Sequence, residues 1–215
     1  MSVKGAGCAS AILLALSVSS PAGAQIIEFE SGGLHYQTQT KSGVTVMFAT
    51  LPVVIRGFSV MQVAISNGSN RPWTFRPQDF KYTPEGGGTT ILGAEARVVV
   101  QDFMDNGGRD DVIKLVTAYE NGLYGMTRLR STNGYEQRRQ SVMAEMTSSK
   151  WKAAAAASAI VLVPAKLKPG ESTDGAVFFV TRGHLLGTGK LAVEAGPSVY
   201  EFPVEKAATL LPADR

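Results

Sequence analysis

The chain has 215 residues, 44% hydrophobic and 18% charged, with a formal net charge of +3. Twenty-one basic residues nearly cancel eighteen acidic ones, which excludes a nucleic-acid or anionic-membrane surface built on bulk charge. The single cysteine, Cys8, excludes a cysteine metal cage and an internal disulfide.

Residues 1–24 read as a secretory signal peptide. Lys4 gives a positive start, residues 9–18 are an apolar run, and Ala22-Gly23-Ala24 forms a small-x-small cleavage site before Gln25. The run is too short to span a hydrocarbon core of ~30 Å. Cys8 precedes it, where a lipid-anchor cysteine would follow. The expected mature chain, from Gln25, loses only Lys4 among its charges and has no thiol. It must hold together by its hydrophobic core, and its length suits one domain with an insertion. No later apolar stretch is long enough for a transmembrane helix.

Residues 26–84 read as β. Residues 34–40 and 44–48 are strand-like, the first polar-rich and partly alternating. The clearest strand is 58–65, with Phe58, Val60, Gln62 and Ala64 on one face and Ser59, Met61, Val63 and Ile65 on the other. Both faces are largely apolar, which places it centrally. Residues 66–70 form a turn rich in Asn and Gly. Trp73-Thr74-Phe75 and residues 79–82 are extended, and residues 85–88 form a loop.

Residues 92–158 change to helical spacing. A first helix is expected over 94–104, closed by Asn106-Gly107-Gly108 with glycine in the left-handed cap position. Asp110 and Asp111 open a second, with Val112, Leu115, Val116 and Tyr119 on its apolar stripe and Asn121-Gly122 closing or bending it. A third is expected over 135–157. The β signal returns at 160–163, 175–180, 190–194 and 199–204, with a turn at Lys168-Pro169-Gly170-Glu171. Residues 206–215 read as a loose tail. Short strands, helices, then short strands imply a β-sandwich of about eight strands interrupted by a helical insertion of two or three helices on one end or side.

Two segments carry a family resemblance. Residues 61–69, Met-Gln-Val-Ala-Ile-Ser-Asn-Gly-Ser, are followed by Phe75-Arg76-Pro77-Gln78-Asp79-Phe80. Residues 167–172, Leu-Lys-Pro-Gly-Glu-Ser, are followed by Gly175-Ala176-Val177-Phe178-Phe179. This resembles the secreted immunoglobulin-like family of bacterial exported proteins that includes the mycobacterial immunoprotective extracellular protein. The resemblance covers roughly residues 44–84 and 158–204. It implies an exported antiparallel β-sandwich, offers no catalytic residue to carry over, and leaves the helical stretch unexplained.

Motifs for chemistry are sparse. His35 and His184 are the two histidines, far apart in sequence and without neighbouring ligands. No Gly-x-Ser-x-Gly elbow occurs, and Ser172 follows a turn where a hydroxyl bonds local backbone. Residues 183–191 resemble a phosphate loop, but the spacing is wrong and Leu191 stands where Ser or Thr is needed, so a hairpin turn is expected. Asp102, Asp105, Asp110 and Asp111 cluster without calcium-loop spacing and read as a helix end and start. Met143 and Met146 read as core packing rather than copper ligands. Asn67-Gly68-Ser69 matches a glycosylation acceptor but reads as a hairpin turn.

The expectation is an exported, non-enzymatic protein of the periplasm or exterior, without cofactor, metal or catalytic site. Its partner would be a cell-envelope protein met by the helical insertion, with Arg138, Arg139 and Trp151 as contacts. On this reading, deleting the insertion leaves a folded sandwich. Two other readings stay open: a small-ligand or cation carrier lined by Tyr119, Tyr124 and Trp151, and a hydrolase assembled from carboxylates distant in sequence.

Overall fold

The structure, a computed structural model, describes residues 25–125, 148–196 and 198–205, with backbone alone over 118–125. The leader with Ala24, Arg138, Arg139, Met143, Met146 and the tail from 206 lie outside the described residues. The chain runs β1 (Ile26–Ser31), β2 (Leu34–Lys41), β3 (Val44–Ile55), β4 (Phe58–Asn67), β5 (Trp73–Phe75), β6 (Phe80–Pro84) and β7 (Ile91–Leu92). Then come α1 (Ala96–Asn106), α2 (Arg109–Gly125) and α3 (Ser149–Ile160), followed by β8 (Ala165–Leu167), β9 (Ser172–Val180), β10 (Gly189–Ala195) and β11 (Ser198–Val204).

A five-stranded antiparallel sheet has the order β1-β2-β3-β4-β9, and a four-stranded one β11-β10-β6-β7. β5 and β8 pair separately. The first four strands form a meander through three two-residue turns: Gly32-Gly33, Ser42-Gly43 and Arg56-Gly57. Both residues of each turn have positive φ, from 51° at Ser42 to 83° at Gly57. That is the type I′ geometry matching the natural strand twist. β3 is longer than the expected 44–48, with a register irregularity between Thr50 and Val54.

The larger sheet is buried on both faces. One face packs on the smaller sheet, where Phe48, Met61, Val63, Val177 and Phe179 meet Phe80, Tyr82, Leu191, Tyr200 and Phe202. The other face packs on the helices, where Tyr36, Leu51, Val60 and Phe178 meet Val99, Phe103, Leu115 and the alanines of α3. β4 is an interior strand, flanked by β3 and β9 and buried on both faces as its sequence predicts, with Phe58, Val60 and Ala64 on the helical side and Met61, Val63 and Ile65 on the other. The molecule is therefore mainly antiparallel β, in three layers: helices, sheet, sheet.

The helices are thus part of the core rather than an appendage to a finished sandwich. α3 lies against both α1 and α2. Its run from Ala153 to Ala157 is buried all round, because only a methyl-sized side chain lets a helix sit this close to neighbours on several sides. Gly107 shows the same crowding. It closes α1 at φ −65°, not in the left-handed cap expected. A Cβ there would lie 2.4 Å from the Phe103 carbonyl oxygen and 2.7 Å from the Ala153 Cβ, so glycine is required by close approach.

Two other expectations change. α2 continues through Asn121-Gly122 to Gly125. Residues 160–163 are not a strand: Ile160 ends α3, and Val161 makes one parallel bridge to Ala176. A four-residue apolar run satisfies either a strand or a buried helix end. The third helix is described only over Ser149–Ile160, so its expected beginning lies outside the described residues.

Candidate functional site

The aspartates near the α1–α2 junction are structural. Arg56 Nε donates to Asp102 Oδ2 at 2.9 Å, and its Nη1 donates to the Asn106 carbonyl at 2.5 Å and lies 3.5 Å from Asp111 Oδ2. Asp111 Oδ2 also accepts the Gly108 N–H at 2.9 Å, capping the start of α2. Asp105 accepts from Gln101. Among the described residues no group of three His, Cys, Asp or Glu side chains converges as a metal site.

The two histidines stay apart. His35, on β2, has its Nε2 3.7 Å from Glu28 Oε2, while His184 is exposed on the segment joining β9 to β10. That segment, which includes the phosphate-loop lookalike, crosses between the two sheets and is no hairpin. Leu186 anchors it in the core, and its N–H donates to Ser59 Oγ at 3.3 Å. Ser172 Oγ donates to Ser66 Oγ at 2.9 Å, a side-chain bond across β4 and β9.

Asn67 is fully buried, and its loop leads from β4 to β5 across the sheets, again no hairpin. Its Nδ2 donates to the carbonyls of Arg71 and Leu167, at 2.7 and 3.0 Å, and its Oδ1 accepts the Ser69 hydroxyl at 2.6 Å. All of its polar atoms are engaged, so it is a structural node. Of the expected contact residues, Trp151 is 53% exposed at the start of α3, and Gln25 is exposed ahead of β1.

A concave feature arises where β1, β2 and β3 extend past β11. At one end β11 is stitched to the β2–β3 turn: Tyr200 Oη donates to the Lys41 and Val44 carbonyls, at 2.9 and 2.8 Å. Toward its other end, an open groove of about 340 Å³ separates the sheets. Its walls are apolar at Leu34, Phe48, Pro52, Pro203 and Val204, and polar at Glu30, His35, Gln37, Thr50 and Glu205. Among the described residues no lysine or arginine lines it.

Strand register explains the arrangement. Glu28 pairs with Gln37 and Gln37 with Phe48, while Glu30 pairs with His35. Period-two alternation then puts Glu28, Glu30, His35, Gln37 and Phe48 on one face of the sheet. Gln37 is only 3% exposed. Its Nε2 donates to Glu28 Oε1 at 3.0 Å, while its Oε1 has no hydrogen-bond partner among the described residues. Sequence reasoning missed this site. The available signal was the alternation of polar His35, Gln37 and Gln39 along β2, on a face where a sandwich strand should be apolar.

No family model, curated protein or solved structure matches the chain.

Proposed function

We propose that this chain is a non-enzymatic binding protein that captures a ligand or partner in the groove between β2–β3 and the end of β11. The observation that carries the reading is the groove's make-up: apolar walls, a few converging polar groups and a buried glutamine with an unused acceptor. Binding sites have this composition, whereas sandwich interiors are uniformly apolar. Ligand-detected NMR with a fragment library tests it against the Thr50→Trp variant, whose indole fills the groove. Hits that bind the parent chain and not the variant support the reading, and hits indifferent to the substitution sink it.

The same proposal places the protein outside the cytoplasm, on the strength of the leader-like residues 1–24. It also assigns an immunoglobulin-like fold. In support, β4 pairs with β9, and β6 lies between β7 and β10, which in turn pairs with β11. Those neighbours follow the B–E and G-F-C-C′ orders of an immunoglobulin sandwich, with β1 and β2 as additions.

A second reading keeps the helical layer as the contact surface for a cell-envelope protein. It is favoured by exposed Trp151 and by Ile113 on α2, 54% exposed. Large apolar side chains left on a helical surface are common anchors of protein interfaces. Loss of partner capture on Trp151→Ala, with the groove variant unaffected, would prefer this reading.

A further inference from the structure

We infer that the groove binds an organic cation: a guanidinium or ammonium group carried on an apolar stem. The inference rests on the binding role proposed for the groove and adds the chemistry of what it takes.

The groove's charge is one-sided. Among the described residues, Glu30 and Glu205 line it with no lysine or arginine, and Glu28 accepts from Gln37. An anionic ligand would meet like charge at close range, which is unfavourable wherever water is partly excluded. A metal ion is disfavoured, because the carboxylates do not converge with His35 into a three-ligand set among the described residues. A purely apolar ligand would fit the walls at Phe48, Pro52 and Val204. It would, however, leave Gln37 Oε1, already out of contact with water, still without a donor, and a buried acceptor left unmade is costly.

Gln37 is the observation independent of the acidic residues. Its Nε2 is committed to Glu28, which fixes the amide orientation and leaves the carbonyl oxygen as the unfilled position. That oxygen accepts and does not donate, so the ligand must bring an N–H or O–H. Combined with carboxylates at the rim, the best match is a charged donor. Guanidinium presents five N–H groups in a plane and can serve an amide oxygen and a carboxylate together, so it should outrank ammonium. The apolar walls suit the methylene stem that carries such a head.

The test uses n-butylguanidinium, n-butylammonium, neutral butyramide and anionic butanoate as probes of the purified full chain, with binding followed by isotope-edited NMR. Expected is saturable binding of n-butylguanidinium, weaker binding of n-butylammonium, and none of butanoate. Shifts should centre on Gln37, Thr50 and Glu205. Glu30→Gln and Glu205→Gln are surface changes that leave folding intact. Each should weaken n-butylguanidinium by about 3–10-fold, and the effect should shrink in high salt. Gln37→Leu should abolish binding, and the two glutamate variants keep the test valid if that variant does not fold.

A tripeptide, acetyl-Gly-Arg-Gly-amide, separates the sources. Tighter binding than n-butylguanidinium assigns the cation to a polypeptide side chain, and equal binding assigns it to a free small molecule. Butyramide binding as well as n-butylguanidinium, in the same place, would overturn the charge inference and leave the groove reading standing. Shifts confined to other surfaces, or no binding by any probe or library fragment, would overturn both.

Discussion

Arg56 Nε donates to Asp102 Oδ2 at 2.9 Å, tying the β3–β4 turn to the middle of α1. The same guanidinium reaches the last carbonyl of α1 and the carboxylate that caps α2, so one side chain holds the sheet's turn against both helix ends. Arg56 also has φ 54°, a conformation that costs a non-glycine residue energy. Arg56→Ala should therefore lose about 1–2 kcal/mol, a network value above that of a lone surface pair. Arg56→Asn should lose less, because Asn-Gly suits a type I′ turn. Urea midpoints of the two variants separate the ion-pair contribution from the turn contribution. Equal losses would show that the turn conformation contributes nothing.

Asn67 joins the two segments whose sequences carry the family resemblance. Its backbone N–H donates to the Glu171 carbonyl at 2.9 Å, and its carbonyl accepts the Gly170 N–H at 2.6 Å. Its side chain bonds the Leu167 carbonyl. Asn67→Asp replaces the donating Nδ2 with an oxygen facing two carbonyls and should cost about 3 kcal/mol or more. Ser69→Ala, which removes the acceptor for the Trp73 indole, should cost about 1 kcal/mol. Denaturant unfolding gives both values, and Trp73 emission should shift to the red in Ser69→Ala alone, without unfolding.

These two nodes mark what the sequence could and could not convey. β4, β9, β10 and β11 were legible, because alternation and apolar runs are local signals. The turn at 168–171 was legible from Pro-Gly. The turns at Ser42-Gly43 and Arg56-Gly57 were not, since neither Ser nor Arg ordinarily signals positive φ; tertiary pairing of the flanking strands imposes it. Helices α1 and α2 were legible to within a few residues. The depth of the helical layer in the core was not, because the alanine run of α3 reads as propensity until the neighbours that crowd it are seen. The groove was illegible for a similar reason. Glu30, Gln37 and Glu205 come from the two ends of the chain, and only sheet packing brings them together.

Tyr36 Oη donates to Gln62 Oε1 at 3.1 Å inside the helical-side core, while Gln62 Nε2 has no partner among the described residues. Tyr36→Phe leaves both polar atoms of the buried amide unmatched and should cost about 1–3 kcal/mol. Adding Gln62→Met removes the stranded amide and should recover most of that loss. A double-mutant cycle in urea reads the coupling. Strict additivity would mean that the bond contributes nothing to stability.

Burial pushes the Tyr36 hydroxyl up from 10.0 to about 12, and also raises Tyr82 and Tyr200. The unfolded chain then releases these protons first. The stabilisation is fully present below pH 10 and is lost as pH rises through the folded values. Unfolding free energy should fall steeply between pH 10 and about 12, and less steeply in Tyr36→Phe relative to its own value at neutral pH. Phenolate absorbance should rise together with unfolding for the buried tyrosines. Early ionisation of Tyr36, Tyr82 and Tyr200 in the folded protein would contradict their burial.

Removal of residues 94–160 behind a Gly-Ser linker tests whether the helices are a contact element or a wall of the core. Without them, the larger sheet would show water a face that includes Leu34, Tyr36, Leu51, Val60 and Phe178. Exposing five such side chains, at about 2 kcal/mol each, costs ~10 kcal/mol. Whole domains are stabilised by only ~5–15 kcal/mol, so the remaining two sheets should not hold. Expected are loss of cooperative unfolding, binding of a hydrophobic dye and aggregation. A soluble variant with a sharp transition and an intact groove would instead make the helical layer dispensable for folding. That result would return it to the role of a partner-binding surface.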